Sequence, residues 1–190
     1  MSRLSIPVGA GDHAQGSAGA TVTLVEYGDY ECPYCGEAYP ILKAVQRAMG
    51  DELRFVFRNF PLTEMHPHAM RAAEFAEMAA SAGLFWQAHD LLYENQEALG
   101  ERDLLAYGQG LGLPAGVVAE AFDGRFDQKI RDDFRGGVRS GVNGTPTLFI
   151  NGFRYDGPRD LDSLVAELRQ AQAMGIEDAV RRGSPSHGRR

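Results

Sequence analysis

Cysteine is nearly absent from this chain: there are two in 190 residues. A structural disulfide network is thereby excluded, and the pair must be inert, metal-binding or redox-active. Long apolar runs are missing too, since no stretch approaches the roughly 18 uncharged residues of a membrane span. Positive charge is short, with 19 Lys and Arg against 26 Asp and Glu, a net charge of −7 and a pI near 5.2. That balance argues against a general nucleic-acid binder. The basic residues at the end, Arg181, Arg182, Arg189 and Arg190, stand among Ser, Gly and Pro and read as a solvated tail. The first twenty residues are small and polar, without the continuous apolar segment of a signal peptide, so the expected compartment is the cytoplasm. A cysteine pair there is more often catalytic or metal-binding than a staple. With 44% hydrophobic residues, the chain can bury a sizeable core as one domain, or one domain with a large insertion.

The two cysteines fall together in Tyr30-Glu31-Cys32-Pro33-Tyr34-Cys35. Upstream, residues 21–27 form a β-branched run of strand length. Downstream, Ile41, Leu42, Val45 and Met49 recur at helical spacing. Cys32 is thus placed where a strand gives way to a helix, with Pro33 at the first helical position. The first N–H groups of a helix are unpaired and partly positive, so a sulfur there is stabilised as thiolate. Cys35, one turn on, lies deeper and is less acidic. These assignments make Cys32 the attacking sulfur and Cys35 its resolving partner. Two other readings stand beside this one. The pair is half a zinc site completed by His66 and His68, or both cysteines are inert core residues.

The rest of the chain orders itself around that junction. The helix runs from about 33 to 49, with Pro40 inside it and Gly50 closing it. Residues 53–60 read as a second strand ended by Pro61, and strand–helix–strand of this length implies parallel pairing. From about 66 to 142 the pattern is helical, with candidate helices at 69–83, 84–96, 103–111, 114–122 and 128–138. Trp86, His89, Tyr93 and Phe122 read as packing residues between them. Thr147 to Ile150, the turn Asn151-Gly152 and Phe153 to Tyr155 form a hairpin. A final helix starts near Asp160, and residues 176–182 add a short helical turn.

The segment Val25 to Gly36 and the segment Gly144-Thr145-Pro146-Thr147-Leu148-Phe149-Ile150-Asn151-Gly152 resemble the two signatures of the DsbA-like thiol–disulfide oxidoreductases. Phe55, Arg58, Asn59, Phe60, Pro61 and Leu62 fit the second strand of that family. The resemblance spans about residues 12–173. It implies an α/β, thioredoxin-like fold, β-α-β, helical insertion, β-β-α. In those terms residues 1–20 are a flexible lead-in and 21–65 the first part of the thioredoxin-like domain. Residues 66–142 are the inserted helical domain, 143–175 the second part, and 176–190 the tail.

The resemblance also implies roles. Pro146 is expected to be cis and beside the cysteines, leaving the Thr145 main chain to pair with an extended substrate strand. Glu26 matches an acidic position below the sulfurs, where desolvation raises its pKa and it exchanges a proton with Cys35 through water. The expected activity is thiol–disulfide exchange on protein thiols and disulfides through a mixed disulfide on Cys32. No cofactor is needed beyond the Cys32–Cys35 disulfide itself. The electron partner is an unidentified redox protein or glutathione. Pro33-Tyr34 resembles the glutaredoxin dipeptide, so a glutathione-dependent reductase is the alternative. A tyrosine there cannot add the positive charge of a histidine, which points to a potential of roughly −150 to −250 mV.

Overall fold

The computed structural model describes residues 2–183. Five strands form one sheet: β1 (His13–Gln15), β2 (Val22–Gly28), β3 (Leu53–Asn59), β4 (Thr147–Ile150) and β5 (Phe153–Tyr155), in the order β1-β3-β2-β4-β5. Central β2 pairs in parallel with β3, from Val22 opposite Leu53 to Gly28 opposite Asn59. A parallel pair needs a crossover, which helix α1 (Pro33–Met49) supplies. The other pairings are antiparallel, including β2 with β4, where Glu26 faces Leu148 and Tyr27 faces Thr147. Asn151 and Gly152 turn the β4–β5 hairpin with φ of 47° and 83°, conformations that suit these two residue types.

Side chains alternate across the central strands, and each face has its own core. Val22, Leu24, Phe55, Phe57, Leu148 and Ile150 join the first core. Against them α1 lays a stripe of Cys35, Ala38, Leu42, Val45 and Met49, at intervals that keep one helical face buried. The last helix, α7 (Leu161–Gly183), adds Leu164 and Leu168. It is continuous through 176–182, where a separate turn was expected, so Arg181 and Arg182 belong to it. The basic pair Arg189 and Arg190 lies outside the described residues.

Between β3 and β4 stand α2 (Ala69–Ser81), α3 (Phe85–Glu94), α4 (Glu101–Gly110), α5 (Ala115–Glu120), a 3₁₀ turn (Ala121–Asp123) and α6 (Asp127–Arg139). Ala69, Ala72, Ala73, Ala76 and Ala79 of α2 are all buried, and these small side chains let its neighbours approach closely. Trp86, His89 and Tyr93 of α3 pack on the first core, within ring-stacking range of Phe55 or Phe57. Phe122, in the 3₁₀ turn, lies under the Arg71 guanidinium at 5.1 Å.

The second core, Val25, Tyr27, Val56, Phe60, Val142 and Phe149, is closed by Phe134 of α6 and by the N-terminal segment through Leu4, Val8 and Ala14. Here the structure departs from a flexible lead-in over residues 1–20. Leu4 N donates to Gly152 O at 2.9 Å beside β5, whereas β1 pairs with β3 at the opposite edge. The segment between them is a strap across the sheet. It is held by Asp12, which takes Arg58 Nε at 2.7 Å and Nη2 at 2.9 Å, and by Ile6 and Pro7 carbonyls that accept from Arg58 at 3.0 and 3.2 Å. Such a segment shows no regular hydrophobic period because isolated apolar side chains and single polar contacts to distant residues, rather than one continuous apolar face, fix it.

Candidate active site

Strand β2 ends at Gly28, and the chain turns through Asp29 to Cys32, whose N–H bonds Asp29 O at 3.2 Å. Cys32 has extended backbone angles, φ −71° and ψ 120°, and is the N-cap of α1, with Pro33 following. Its carbonyl accepts Cys35 N at 3.0 Å and Gly36 N at 3.1 Å. A third donor comes from the helical insertion: Gln96 Nε2 bonds Cys32 O at 2.9 Å and Tyr30 O at 2.8 Å. Gly36 is required by the same contact, since a Cβ there would collide with the Gln96 amide.

Both cysteines are free thiols, Cys32 only 3% exposed and Cys35 fully buried. The Cys32 thiol donates to Thr145 O at 3.4 Å, and the Thr145–Pro146 peptide is cis. The Thr145 carbonyl thus lies at the Cys32 sulfur, with Pro146 next along the chain. The two sulfurs titrate far apart. The Cys32 pKa falls to about 5, chiefly through the hydrogen bond from Cys35. Burial opposes this, and Thr145 with the N–H groups of Cys35 and Tyr34 reinforces it. The Thr145 hydroxyl, buried and otherwise unpartnered, is available to the thiolate. Cys35 moves well upward, through burial first, then its bond to Cys32 and the charge of Glu26. One sulfur is a ready thiolate and leaving group; its neighbour holds a proton.

Glu26 lies on β2, on the face it shares with Val22 and Leu24, and is 2% exposed. Burial, then the charge of Cys32, raises its pKa to about 8, and its Oε1 has no hydrogen-bond partner. A carboxyl in this state is protonated at neutral pH and can pass that proton on. Pro33 and Tyr34 face outward, Tyr34 being 63% exposed. Behind the pair, Tyr30 bonds His89 Nδ1 at 3.2 Å, and its ring lies 5.0 Å from that of Tyr93 with the planes tilted. Burial pushes His89 down to about 3, so this wall stays neutral.

Of the two histidines weighed as zinc ligands, the His66 ring is engaged elsewhere, whereas the His68 contact is made by its main-chain N–H alone. His66 Nδ1 is 2.7 Å from Asp29 Oδ2, and His68 N donates to Glu31 Oε2 at 2.6 Å. Among the described residues no cluster of His, Cys, Asp or Glu is arranged to hold a metal ion. Three residues of the site escaped the sequence reading in their roles. Asp29 and His66 form a pair, with Asp29 inside the signature segment, while Gln96 carries no sequence signal at all.

Comparison with known proteins agrees with this architecture. The sequence pattern of the family described as Thioredoxin (Thioredoxin_4) matches residues 9–170. Among curated relatives, "Na(+)/H(+) antiporter NhaA 3" of Salinispora tropica is 44% identical over 165 residues, covering 85% of this chain and 25% of the relative. "Na(+)/H(+) antiporter NhaA 1" of Mycolicibacterium vanbaalenii is 38% identical over 164 residues, covering 83% and 26%. The chain thus spans about a quarter of the length of these relatives. Among solved structures, oxidised BdbD from Bacillus subtilis superposes with a TM-score of 0.79 at 22% identity, covering 90% of this chain and 98% of that one. α-DsbA1 from Wolbachia pipientis gives 0.77 at 16%, covering 93% and 98%. At these identities the likeness is one of fold. The chain belongs to the thioredoxin family, and its fold is the DsbA-like form in which a block of helices separates the two halves of the sheet.

Proposed function

We propose that this chain is a thiol–disulfide oxidoreductase that exchanges disulfides with protein substrates through Cys32. The observation that carries the reading is the asymmetry of the pair: a thiolate at the N-cap of α1, pKa about 5, backed by a buried sulfur that keeps its proton. In the oxidising direction, a substrate thiolate attacks Cys32 Sγ of the disulfide. The Cys32–Cys35 bond breaks, and Cys35 leaves with the electron pair and takes up a proton. Glu26, protonated at neutral pH and buried nearby, is the proposed donor through water. A second substrate thiolate then attacks the substrate sulfur of the mixed disulfide and expels Cys32. A low leaving-group pKa speeds that release, so the stabilised thiolate favours oxidation of substrates. In the reducing direction the same steps run backwards. The Thr145 main chain, beside the sulfur, is the proposed partner for an extended substrate strand.

The test is a disulfide-reduction assay on insulin together with oxidative refolding of a reduced substrate. Cys32→Ser should abolish both, and Cys35→Ser should accumulate mixed disulfide on Cys32. Equilibration with glutathione buffers should give a potential of roughly −150 to −250 mV. A pair that never oxidises removes the proposal. Strict dependence on glutathione as the reductant would favour the glutaredoxin-like alternative.

The antiporter relatives support one further point. We take the shared quarter to be a redox module carried beside a transporter, and do not extend ion transport to this chain. No helix among the described residues is long and apolar enough to cross a membrane. Lipid vesicles holding this chain alone should exchange sodium for protons at the background rate.

A further inference from the structure

The loop between β3 and α2 is tied to the active-site turn at three points. Leu62 N and His66 Nδ1 both bond Asp29 Oδ2, at 2.8 and 2.7 Å, and His68 N bonds Glu31 Oε2. Asp29 is itself immobilised. Its side chain is fully buried, its Oδ1 accepts Glu31 N at 2.8 Å, and its main-chain oxygen accepts Cys32 N at 3.2 Å. One residue therefore ties an imidazole, through its carboxylate, to the N-cap of the active-site helix, through its main-chain oxygen. The His66 side chain remains 16% exposed, so it can exchange protons with solvent.

Burial disfavours the charged ring, but Asp29, the Cys32 thiolate and Glu31 together outweigh it and raise the His66 pKa. Of these three, Asp29 and Glu31 are present whatever the redox state. Only Cys32 changes, from a neutral disulfide sulfur to an anion.

We propose that His66, positioned by Asp29, is the cationic partner of the Cys32 thiolate, gaining proton occupancy when the disulfide is reduced and losing it when the disulfide reforms. The inference rests on the thiol–disulfide reading above. When a substrate dithiol supplies two electrons and is oxidised to its disulfide, the Cys32–Cys35 bond breaks. Cys35 takes one proton, Cys32 keeps the negative charge, and His66 draws a further fraction of a proton from solvent. The positive charge that Tyr34 does not provide thus comes from a residue far along the chain.

The test follows the ring-proton resonances of His66 with pH, assigned by their loss in His66→Gln, in the disulfide form, the dithiol form and reduced Cys32→Ser. The midpoint should be higher in the dithiol form than in the other two. In His66→Gln, thiolate absorbance should show the acid constant of Cys32 falling by about threefold, the size expected for one charge acting through a largely aqueous medium. The Glu26 transition near pH 8 is an internal control, since it should respond to Cys32→Ser and not to His66→Gln. A His66 midpoint indifferent to Cys32, or an unmoved Cys32 titration in a His66→Gln protein of normal melting temperature, overturns the proposal. Failure of the pair to oxidise would instead overturn the oxidoreductase reading. The comparison of the dithiol form with Cys32→Ser still decides whether the thiolate governs His66.

Discussion

On the face of the sheet that carries Val25, Tyr27 and Val56, the buried charge of Arg58 is fully engaged: Asp12, Ile6, Pro7 and the Tyr27 hydroxyl accept five hydrogen bonds from it. On the opposite face, Glu26 Oε1, Tyr93 OH and Thr145 Oγ1 are buried without partners, and all three groups border the cysteines or respond to their charge. Both arrangements cost desolvation. Where charge only closes a core, the chain satisfies it, and burial of Asp12, which alone would raise its pKa, is overcome by Arg58. Beside the sulfurs, polar groups are left open for protons and for an anion that exists in only one redox state. The unpaired groups around the sulfurs thus contrast with the saturated Arg58 cluster, although Gln15 Oε1 and Asn59 Oδ1 are also buried without partners.

The sharpest way to break this division is Arg58→Ala. Leaving Asp12 buried and unpaired should cost about 3–5 kcal/mol in urea unfolding, while the Cys32 titration stays in place. A shifted Cys32 would mean that the faces are coupled. Glu26→Gln comes next. The carboxyl has its folded pKa raised from 4.5 to about 8, so its stabilising contribution is complete below 4.5 and is lost as pH rises through 8. Above pH 8 the Gln variant should unfold later than the parent, by on the order of 5 kcal/mol, and the pH dependence of exchange should lose that transition. Cys32 has the opposite sign. With its pKa lowered from 9.0 to about 5, it stabilises the dithiol protein fully above 9 and progressively less as pH falls through 5. The melting temperature of the dithiol form should therefore fall relative to that of the disulfide form as the pH is lowered from 9 through 5.

Smaller effects test the join between the insertion and the site. Gln96→Ala removes two bonds to the active-site turn and should cost about 1–2 kcal/mol, measurable in the same unfolding experiment. The smallest change in stability is expected for Tyr34→His, at an exposed position where substitutions stay within about 0.5 kcal/mol. Its thiolate absorbance should nevertheless show a more acidic Cys32, because an imidazolium is added beside the anion.

Local signals carried much of this architecture. Pro33 and Gly50 bracket α1 at Pro33–Met49, with Gly50 at φ 52°, and Asn151-Gly152 marks its hairpin. Cys32, Cys35, Thr145 and Pro146 converge because two short signatures each encode a turn, and the β2–β4 pairing brings those turns together. The strap was not legible. Asp12 meets Arg58 across 46 positions, and nothing in Gly-rich residues 9–20 announces it. His66 was weighed as a metal ligand because a histidine's chemistry depends on its neighbour, and Asp29 lies 37 positions away. Gln96, 64 positions from Cys32, bonds only main-chain atoms, so no residue type betrays its partner.

The outermost strands, β1 and β5, are three residues each. A margin that short offers a stray chain too few unpaired peptide groups for lasting adhesion. For a protein proposed to handle partly unfolded polypeptides, this is a safeguard: the visitor finds little purchase along the rim, so encounters can end in release instead of in fibrils.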